Sequence, residues 1–492
     1  MNQLSKIRIA GQTAVTKSGD RSMPAKLLIA VLALFATAAQ AQPPGADTVV
    51  IVGVTVVHPE REGAAVLEPD STIIIQGQRI EAILHAAIEL TQGAQVIDGR
   101  GKWVIPGLVD AHVHFFQSGN IYTRPDAADF NAVVPYAQEV ARNKARLDAT
   151  FKIWLASGVT GVVDIGGPFW NFEVRDRAAV TAAAPRMAVA GPLISMIADP
   201  PLDLGDPPII RIDSVEAGLA LVARELERNP DYIKVWFIYQ PGDDLAKNEA
   251  IVKAVGDAAH AAGKKLAVHA TELIVAKAAL RAGADYLVHS VFDEPVDDEF
   301  IALARHNKVL YCPTLFVEES YELALSNQWR ATPEEARRAD PQILAAMDDL
   351  NEIPADKRPK GVARLMQEAK PSVAPIVGMQ NLRKVLDAGI TVVMGTDAGN
   401  IGVLHGPSIL REMRLMQDSG LTPLEVLKSA TTNGALALGK ADDLGVVAAG
   451  RLADLVILDA DPLADTGNLG RIYRVVKDGV VYDPQALMDS IQ

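Results

Sequence analysis

Near both ends of the 492-residue chain, β-branched and apolar residues alternate or run together between glycine and proline turns. This pattern is typical of β-strands. The strand-like segments are residues 48–60, 71–83, 94–105, 452–458 and 475–482. Lys477-Asp-Gly-Val in the last segment is a hairpin-turn signal. Matching β character at such distant positions predicts a small β-sandwich domain built from both chain ends.

Between these ends, short apolar segments alternate with alanine-rich helical segments, which predicts an α/β fold with a parallel sheet. The predicted strands are residues 104–114, 159–165, 186–193, 232–237, 265–270, 286–291, 309–315 and 391–397. Eight strands separated by helices are what a (β/α)8 TIM barrel requires. Gly158, Gly263 and Gly283 stand where a helix gives way to the next strand, a position that favours glycine.

The predicted domain order begins with a signal peptide over residues 1–41. A basic flank precedes the apolar run 27–36, and small residues at 39–41 follow, in a segment too short to span a membrane. Translation begins at Met1 or at Met23. We therefore expect an exported protein, periplasmic or secreted, without a membrane span after cleavage. The remaining parts are the first portion of the sandwich (42–105), the TIM-barrel domain (106–440) and the second portion of the sandwich (441–492).

Residues 317–375 interrupt the alternation with charged, helical sequence after the seventh predicted strand. Because this segment would leave the barrel at its C-terminal mouth, it can act as a lid or a wall of the substrate site. An ordinary solvated helical hairpin is the other interpretation, and the sequence leaves both open.

Composition narrows the class of protein. With 49% hydrophobic and 22% charged residues, the chain can bury a large core. The net charge of -14, without any basic run, argues against a nucleic-acid binder. Cys312 is the only cysteine, which excludes an intrachain disulfide, and its apolar surroundings predict a buried, unreactive thiol.

Polar residues that can bind metals stand in or at the ends of five predicted strands. His112 and His114 are one residue apart, so their rings leave the same face of a strand. Alone, such a pair is either a metal site or two solvated or hydrogen-bonded histidines. The carboxyl ends of barrel strands meet at one mouth. The full set therefore predicts one metal site; its members are His112, His114, Lys234, His269, His289 and Asp397.

The chain resembles the amidohydrolase superfamily, in its imidazolonepropionase and Xaa-Pro dipeptidase-like branch. The resemblance rests on PGLVDAHVH at 106–114, IKVW at 233–236, VHAT at 268–271, VHS at 288–290, GTDAG at 395–399 and GRLADLVIL at 450–458. It implies two divalent metal ions. His112, His114 and Asp397 would bind one ion, and His269 and His289 the other. A carbamate formed from CO2 on Lys234 would bridge them. Zinc is the expected metal, with manganese or cobalt as alternatives.

The resemblance also implies a reaction. A metal-bridged hydroxide would attack an amide or peptide bond, with Asp397 as general base and then general acid. The substrate would be a small molecule or short peptide, such as a dipeptide or an N-acyl amino acid. His405, in the glycine-rich loop after the eighth strand, either contacts the substrate or stabilises the oxyanion, or is a structural loop residue.

Further substrate contacts considered are Tyr239 for the carbonyl, Glu318 and Glu319 for an amine, and Arg337, Arg338 or Arg364 for a carboxylate. His58, His85, His260 and His306 lack histidine or acidic companions in sequence and are interpreted as structural or surface residues. A homo-oligomer is possible in such a fold.

Three other functions are considered. A phosphotriesterase or a lactonase would use the same pair of metals. A non-catalytic exported binding protein would be expected to lack a metal ligand, and the set here is complete. Deamination is disfavoured, because the resembling deaminases use one metal and lack the bridging lysine.

Overall fold

The N-terminal part of the fold is β-rich, as the hydrophobic pattern predicts. The structure, a computed structural model, describes residues 48–85, 93–198, 200–368 and 375–491, and the predicted signal peptide lies outside this range. The first strands are β1 (Thr48–Val57), β2 (Leu67–Gln76), β3 (Arg79–Leu84), β4 (Gln95–Asp98) and β5 (Trp103–Pro106). One side of β1 pairs with β2; the other pairs first with β4 and then with β5.

Ten short strands follow in the central part of the chain. They are β6 (Leu108–Val113), β7 (Val159–Asp164), β8 (Arg186–Val189), β9 (Leu193–Ser195), β10 (Ile209–Arg211), β11 (Tyr232–Trp236), β12 (Lys265–His269), β13 (Tyr286–Val288), β14 (Leu310–Cys312) and β15 (Thr391–Val392). Strands β6, β7 and β8 form one parallel sheet, and β11 to β15 are the parallel core of a second. Strands β9 and β10 extend the second sheet beside β11.

Backbone pairing between these two sheets closes a barrel. The Ala190–Tyr232 bridge connects the end of β8 to β11. On the other side, the Ala111 N–H donates to Met394 O at 2.9 Å, and Val113 pairs with Ala398. The eight strands β6, β7, β8 and β11 to β15 therefore surround one interior. The predicted TIM barrel is confirmed.

The C-terminal strands return to the first sheet. They are β16 (Leu455–Leu458), β17 (Ile472–Lys477) and β18 (Val480–Tyr482), and β16 pairs with β5. Eight strands from both chain ends thus form one sheet with a shared apolar cluster. The predicted hairpin joins β17 to β18, with Asp478 and Gly479 at φ 52° and 76°. A Cβ on Gly479 would lie 1.8 Å from Gly77 O, so this position also requires glycine for space.

Sixteen α-helices occur in the described residues. They are α1 (Tyr136–Ala145), α2 (Leu147–Ala156), α3 (Trp170–Val180), α4 (Val215–Leu226), α5 (Leu245–Ala261), α6 (Leu273–Arg281), α7 (Asp298–Asn307), α8 (Leu315–Leu325), α9 (Pro333–Arg338), α10 (Pro341–Asp348), α11 (Lys360–Gln367), α12 (Ile376–Asp387), α13 (Ile409–Asp418), α14 (Pro423–Ala430), α15 (Thr432–Ala437) and α16 (Pro484–Asp489). Within the described part of the chain, no helix combines the length and apolarity needed to cross a membrane.

The helices follow their local sequence signals. Gly158, Gly263 and Gly283 have φ of 78°, 70° and 96°, as expected where a helix gives way to a strand. The charged segment after β14 contains α8 to α11. Helix α9 begins with a capping box, in which Thr332 and Glu335 each accept a backbone N–H of the other.

The predicted strand over 104–114 is two strands, since Gly107 separates β5 from β6. Strand β5 belongs to the sheet of the chain ends, and β6 belongs to the barrel. A Cβ on Gly107 would lie 2.1 Å from Thr160 Oγ1, so the chain passes between the two parts at a point without space for a side chain. This short connection couples the position of β6 to the sheet.

Tyr286→Phe tests a hydrogen bond across the barrel interior. The hydroxyl of Tyr286, a fully buried residue, donates to Ala111 O at 2.7 Å, next to His112. We expect its removal to lower the free energy of unfolding by about 1–3 kcal/mol, measured by urea denaturation. Tyr482→Phe is the matched control, since that hydroxyl bonds to Ala182 O at an exposed site, and it should cost under about 0.5 kcal/mol. Equal losses in the two variants would contradict this assignment.

Candidate active site

His112 and His114 lie at the C-terminal end of β6 with their Nε2 atoms 3.3 Å apart. Both residues are buried. His114 Nδ1 lies 2.6 Å from Gly166 O, and because a carbonyl can only accept, this nitrogen carries the proton. The Nε2 lone pair of His114 is therefore left for a ligand. A backbone carbonyl in this role is a common support for a metal-binding histidine.

Asp397 completes a group of three potential ligands. Its Oδ1 lies 3.3 Å from His112 Nε2 and 3.1 Å from His114 Nε2. One ligand atom from each of the three residues falls within 4.8 Å of the others. Burial alone would raise the pKa of Asp397, but the neighbouring imidazoles of His112, His114 and His289 hold it well below its usual range.

Two sets of hydrogen bonds hold Asp397 against β6. Its N–H donates to His112 O at 2.8 Å. Just before it, the Thr396 N–H and hydroxyl donate to the two oxygens of buried Asp110, at 3.0 and 2.7 Å. Asp397 itself has a φ of 64°, an uncommon conformation for a residue other than glycine. The first and last strands of the barrel thus hold this carboxylate in place.

His289 and His269 extend the cluster along the barrel mouth. His289 Nδ1 lies 4.0 Å from Asp397 Oδ2 and 2.7 Å from Thr314 Oγ1. Its ring centroid is 4.9 Å from that of His112 and 4.4 Å from that of His269. Burial lowers the pKa of His289 to about 3, and it holds the pKa values of His112 and His269 well below the usual range. Neutral imidazoles are the form that binds metals.

Lys234 is a buried lysine inside β11, with 1% of its surface exposed. Its Nζ has no hydrogen-bond partner among the described residues. Burial lowers its pKa to about 7, although the charge of Asp397 opposes the shift. A large fraction of this amine is therefore neutral and nucleophilic near pH 7. A buried, unpaired amine is costly unless another group satisfies it.

All six predicted ligands line one cavity of about 370 Å³. One part of its wall is apolar, with Leu193 and Ile209 from β9 and β10, Trp236 from the end of β11, and Phe292. The polar part includes Arg124, Asn400, Tyr321 and Glu318. Tyr321 and Glu318 belong to α8, so the first helix of the charged segment forms a wall of this cavity.

Several other predicted contacts lie elsewhere. His405 is outside the described lining of this cavity: its ring stacks on Phe115 at 5.5 Å, and its Nε2 lies 3.1 Å from His114 O. Of the two interpretations left open for His405, this placement favours the structural one, in which His405 supports the backbone of His114. Tyr239 packs against the apolar core.

Of the remaining acidic and basic candidates, one lines the metal-binding cavity and the others lie elsewhere. Glu318 faces the cavity, and burial raises its pKa. Glu319 lines a separate groove beside Phe316. Arg337 and Arg338 line another cavity beside the sheet of the chain ends, and Arg364 is exposed on α11. None of these three arginines is in the described lining of the metal-binding cavity, so their placement does not favour a contact with a substrate carboxylate there.

Two of the other histidines and the cysteine lie outside the described lining of the metal-binding cavity. His58 lies 2.9 Å from Glu68, and His260 lies 2.7 Å from Asp285. Cys312 is fully buried in β14 as a free thiol, and burial raises its pKa well above the usual value. Its predicted burial is confirmed.

Sequence reasoning missed two buried acids that support the ligands. Asp110 accepts from Thr396, as described above, and Asp164 Oδ2 accepts the N–H of Phe115 at 3.1 Å. Both are acids inside apolar strand sequence, the same signal that identified Lys234. Arg124 and Asn400 were also missed, because they lie in loops and not in the apolar strand pattern that identified the ligands.

The sequence of this chain is similar to those of known proteins. The Amidohydrolase family profile matches residues 103–482. A dihydroorotase of Pelotomaculum thermopropionicum is 35% identical over 125 residues, covering 23% of this chain and 27% of the relative. The chain thus spans about a quarter of that relative's length.

Two solved structures are similar over most of the chain. A Xaa-Pro dipeptidase with bound methionine has a TM-score of 0.67 at 24% identity, covering 89% of this chain and 100% of that one. A prolidase in complex with N-methylphosphonate-L-proline has a TM-score of 0.64 at 25% identity, covering 89% and 99%. The fold is shared with these enzymes.

Lys234→Met tests the burial of the amine in metal-free protein. The pKa of Lys234 is about 7 in the folded chain, against an ordinary value of 10.5, so the unfolded chain binds more protons between these values. The wild-type free energy of unfolding should therefore rise with pH by up to about 1.4 kcal/mol per unit from pH 7 towards 10. Lys234→Met lacks this contribution. In urea denaturation with a chelator, the stability advantage of the variant should be largest near pH 7 and shrink at higher pH. An advantage independent of pH would contradict the assigned burial.

Proposed function

Because this chain belongs to the amidohydrolase family, we propose that it is a metal-dependent hydrolase of a carbon–nitrogen amide or peptide bond. The observation that carries the proposal is the convergence of six ligand-capable side chains on one cavity. Four imidazoles, a carboxylate and an unpaired buried amine are gathered there from five strands. Packing of a barrel interior does not require so many polar groups, so their presence indicates a functional site.

The residues fit a pair of divalent ions. His112, His114 and Asp397 present ligand atoms within 4.8 Å of one another, as one ion requires. His289 and His269 lie beside this group and would hold the second ion. Nitrogen and oxygen ligands of this kind favour zinc, and manganese or cobalt suit the same set.

Lys234 is proposed to join the two halves of the site as a carbamate. Its neutral amine would form a bond to the carbon of CO2 and release one proton, giving an anion with two oxygens. This change would supply a ligand charge and remove the unsatisfied amine from the interior. The neutral form needed for this step is accessible near pH 7, since burial lowers the pKa of Lys234 to about 7.

The chain's own groups would then move the protons of hydrolysis. When bound, the ions would lower the pKa of a water molecule and polarise the scissile carbonyl. Asp397 accepts the proton of the attacking water as the new carbon–oxygen bond forms. It then gives this proton to the nitrogen as the carbon–nitrogen bond breaks. The hydrogen bonds to His112 O and through Thr396 to Asp110 hold Asp397 in position for both steps.

The substrate is proposed to be a dipeptide or an N-acyl amino acid. The cavity of about 370 Å³ suits a ligand of this size. Arg124 is a cation on its wall, where its Nη1 donates to Asn400 Oδ1 at 2.7 Å, and it could also meet a substrate carboxylate. Glu318 could meet a substrate amine, and the apolar wall a side chain. The similar prolidase structure, whose ligand is N-methylphosphonate-L-proline, supports this class. Export to a peptide-containing compartment is part of the same proposal.

Substrate preference is the direct test of this function. Metal-loaded protein would be assayed with dipeptides, N-acyl amino acids, lactones and aryl phosphotriesters, and kcat/KM compared. We expect the highest values for substrates with an amide bond and a free carboxylate. Higher values for lactones or phosphotriesters would instead support those activities, and absence of turnover with every class would leave only a binding function.

Asp397→Asn tests the proton transfer. The variant keeps the size of the side chain and the other five ligands, so we expect native stability and nearly full metal content. It cannot accept a proton, so kcat should fall by about 10²–10⁴-fold. Steady-state kinetics with elemental metal analysis would measure both quantities. Asp443→Asn, at an exposed ion pair with Arg79, is the matched control and should leave kcat unchanged. Near-wild-type turnover of Asp397→Asn with its metals retained would refute the role given to this carboxylate.

A further inference from the structure

Arg338, the last residue of α9, is a buried arginine far from the metal-binding cavity. Only 5% of its surface is exposed. One of its Nη atoms donates to Gly470 O at 2.7 Å, which is a backbone carbonyl of the segment before β17. Helix α9 belongs to the charged segment, so this contact connects that segment to the sheet of the chain ends.

Arg338 lacks an acidic partner. Among the described residues, no carboxylate forms a salt bridge with it, and the neighbouring Arg337 makes only a long contact of 3.7 Å with Glu334. Burial and the charge of Arg337 lower the pKa of Arg338 to about 10, so the guanidinium stays charged at neutral pH. A charge that is removed from water without a counter-charge is unfavourable.

The guanidinium lines a cavity of about 210 Å³. Three arginines contribute to its wall: Arg337, Arg338 and Arg474. Two acids, Asp459 and Asp483, also line it. Each acid already has a cationic partner: Lys102 lies 2.6 Å from Asp459, and Arg474 lies 3.0 Å from Asp483. The positive charges of Arg337 and Arg338 are therefore left without full compensation.

From this arrangement we infer that the cavity between α9 and the sheet is a binding site for a small oxyanion, such as phosphate, sulfate or a carboxylate, held by Arg338 and Arg337. The planar guanidinium can donate two parallel hydrogen bonds to such a group. Tyr473, Met488 and Ile472 give the cavity apolar walls beside the charged groups.

The site is positioned to stabilise the charged segment on the barrel. On the same helix, buried Glu335 accepts the Ser408 hydroxyl at 2.9 Å and pairs with Arg411 at 2.7 Å. Asp340, two residues after Arg338, pairs with Arg146 of the barrel. Helix α9 is thus fixed to the barrel by acidic side chains, whereas on the side of the sheet its arginine lacks an acid. An anion would complete that contact, independently of the proposed catalytic function.

Phosphate binding to the metal-loaded protein tests this inference. Inorganic phosphate, sulfate and acetate would each be titrated, with thermal unfolding and isothermal calorimetry as measurements. We expect a saturable rise in Tm for the wild-type protein. Arg338→Met should weaken phosphate binding about 10-fold or more, since it removes a charged hydrogen-bond donor. Arg364→Met, on the neighbouring helix α11 and outside the cavity, is the matched control and should bind as the wild type does.

Two outcomes would overturn the inference. The first is a wild-type protein whose Tm shows no saturable response to any of the three anions. The second is phosphate binding that is unchanged in Arg338→Met, as expected if phosphate binds only at the metals. Should Arg338→Met not fold, Arg337→Glu offers the same test. The Arg337 side chain is 51% exposed, so the variant should fold, and the substitution reverses a charge at the cavity. It should weaken binding about threefold or more, and unchanged affinity would again overturn the inference.

Discussion

Closure of the barrel between its first and last strands is the constraint on which the candidate site depends. Three backbone hydrogen bonds hold these strands together: Ala111 N–H to Met394 O, His114 N–H to Ala398 O and Asp397 N–H to His112 O, all 2.8–2.9 Å long. Asp110 and Thr396 add a side-chain contact between residues 286 positions apart in sequence. His112, His114 and Asp397 meet only because this seam is formed. A substitution that disturbs this closure would therefore also disturb the arrangement of the ligands.

Three residues at the mouth of the barrel have a positive φ, a backbone conformation that does not occur within a regular β-strand. His289, Thr314 and Asp397 follow three consecutive strands of the barrel, and their φ values are 77°, 42° and 64°. Such conformations cost on the order of 1–3 kcal/mol each and persist where the surroundings enforce them. They lie just beyond the ends of β13 and β14 and in the segment after β15. The side chains of His289 and Asp397 line the cavity, where they can contact the other ligands.

Much of this architecture could be predicted from sequence because the signals are local. Each barrel strand is a short apolar run, and each predicted ligand interrupts such a run with a polar residue. Asp110 and Asp164 interrupt strands in the same way, and a stricter use of that rule would have found them. Arg124 and Asn400 could not be found, since they lie in loops 276 positions apart and become neighbours only in the folded chain, through a hydrogen bond of 2.7 Å.

The direction in which individual side chains point could not be predicted from the sequence either. The loop sequence places His405 near the metals but does not specify that its ring stacks on Phe115. Likewise, the pattern of α9 reveals two arginines without revealing that they face the sheet of the chain ends. In both cases the sequence leaves open the direction of a side chain, because that direction is set by packing against distant residues.

The order of strands in the sheet of the chain ends has a consequence for biosynthesis. Strand β5 pairs with β1 on one side and with β16 on the other, and β16 follows all the barrel strands in the sequence. A ribosome-bound chain that already contains all eight barrel strands still presents β5 as an unpaired edge, and unpaired edges recruit other strands. Completion of this sheet must therefore wait for the synthesis of β16, and until then the nascent chain carries an edge that can pair with other strands.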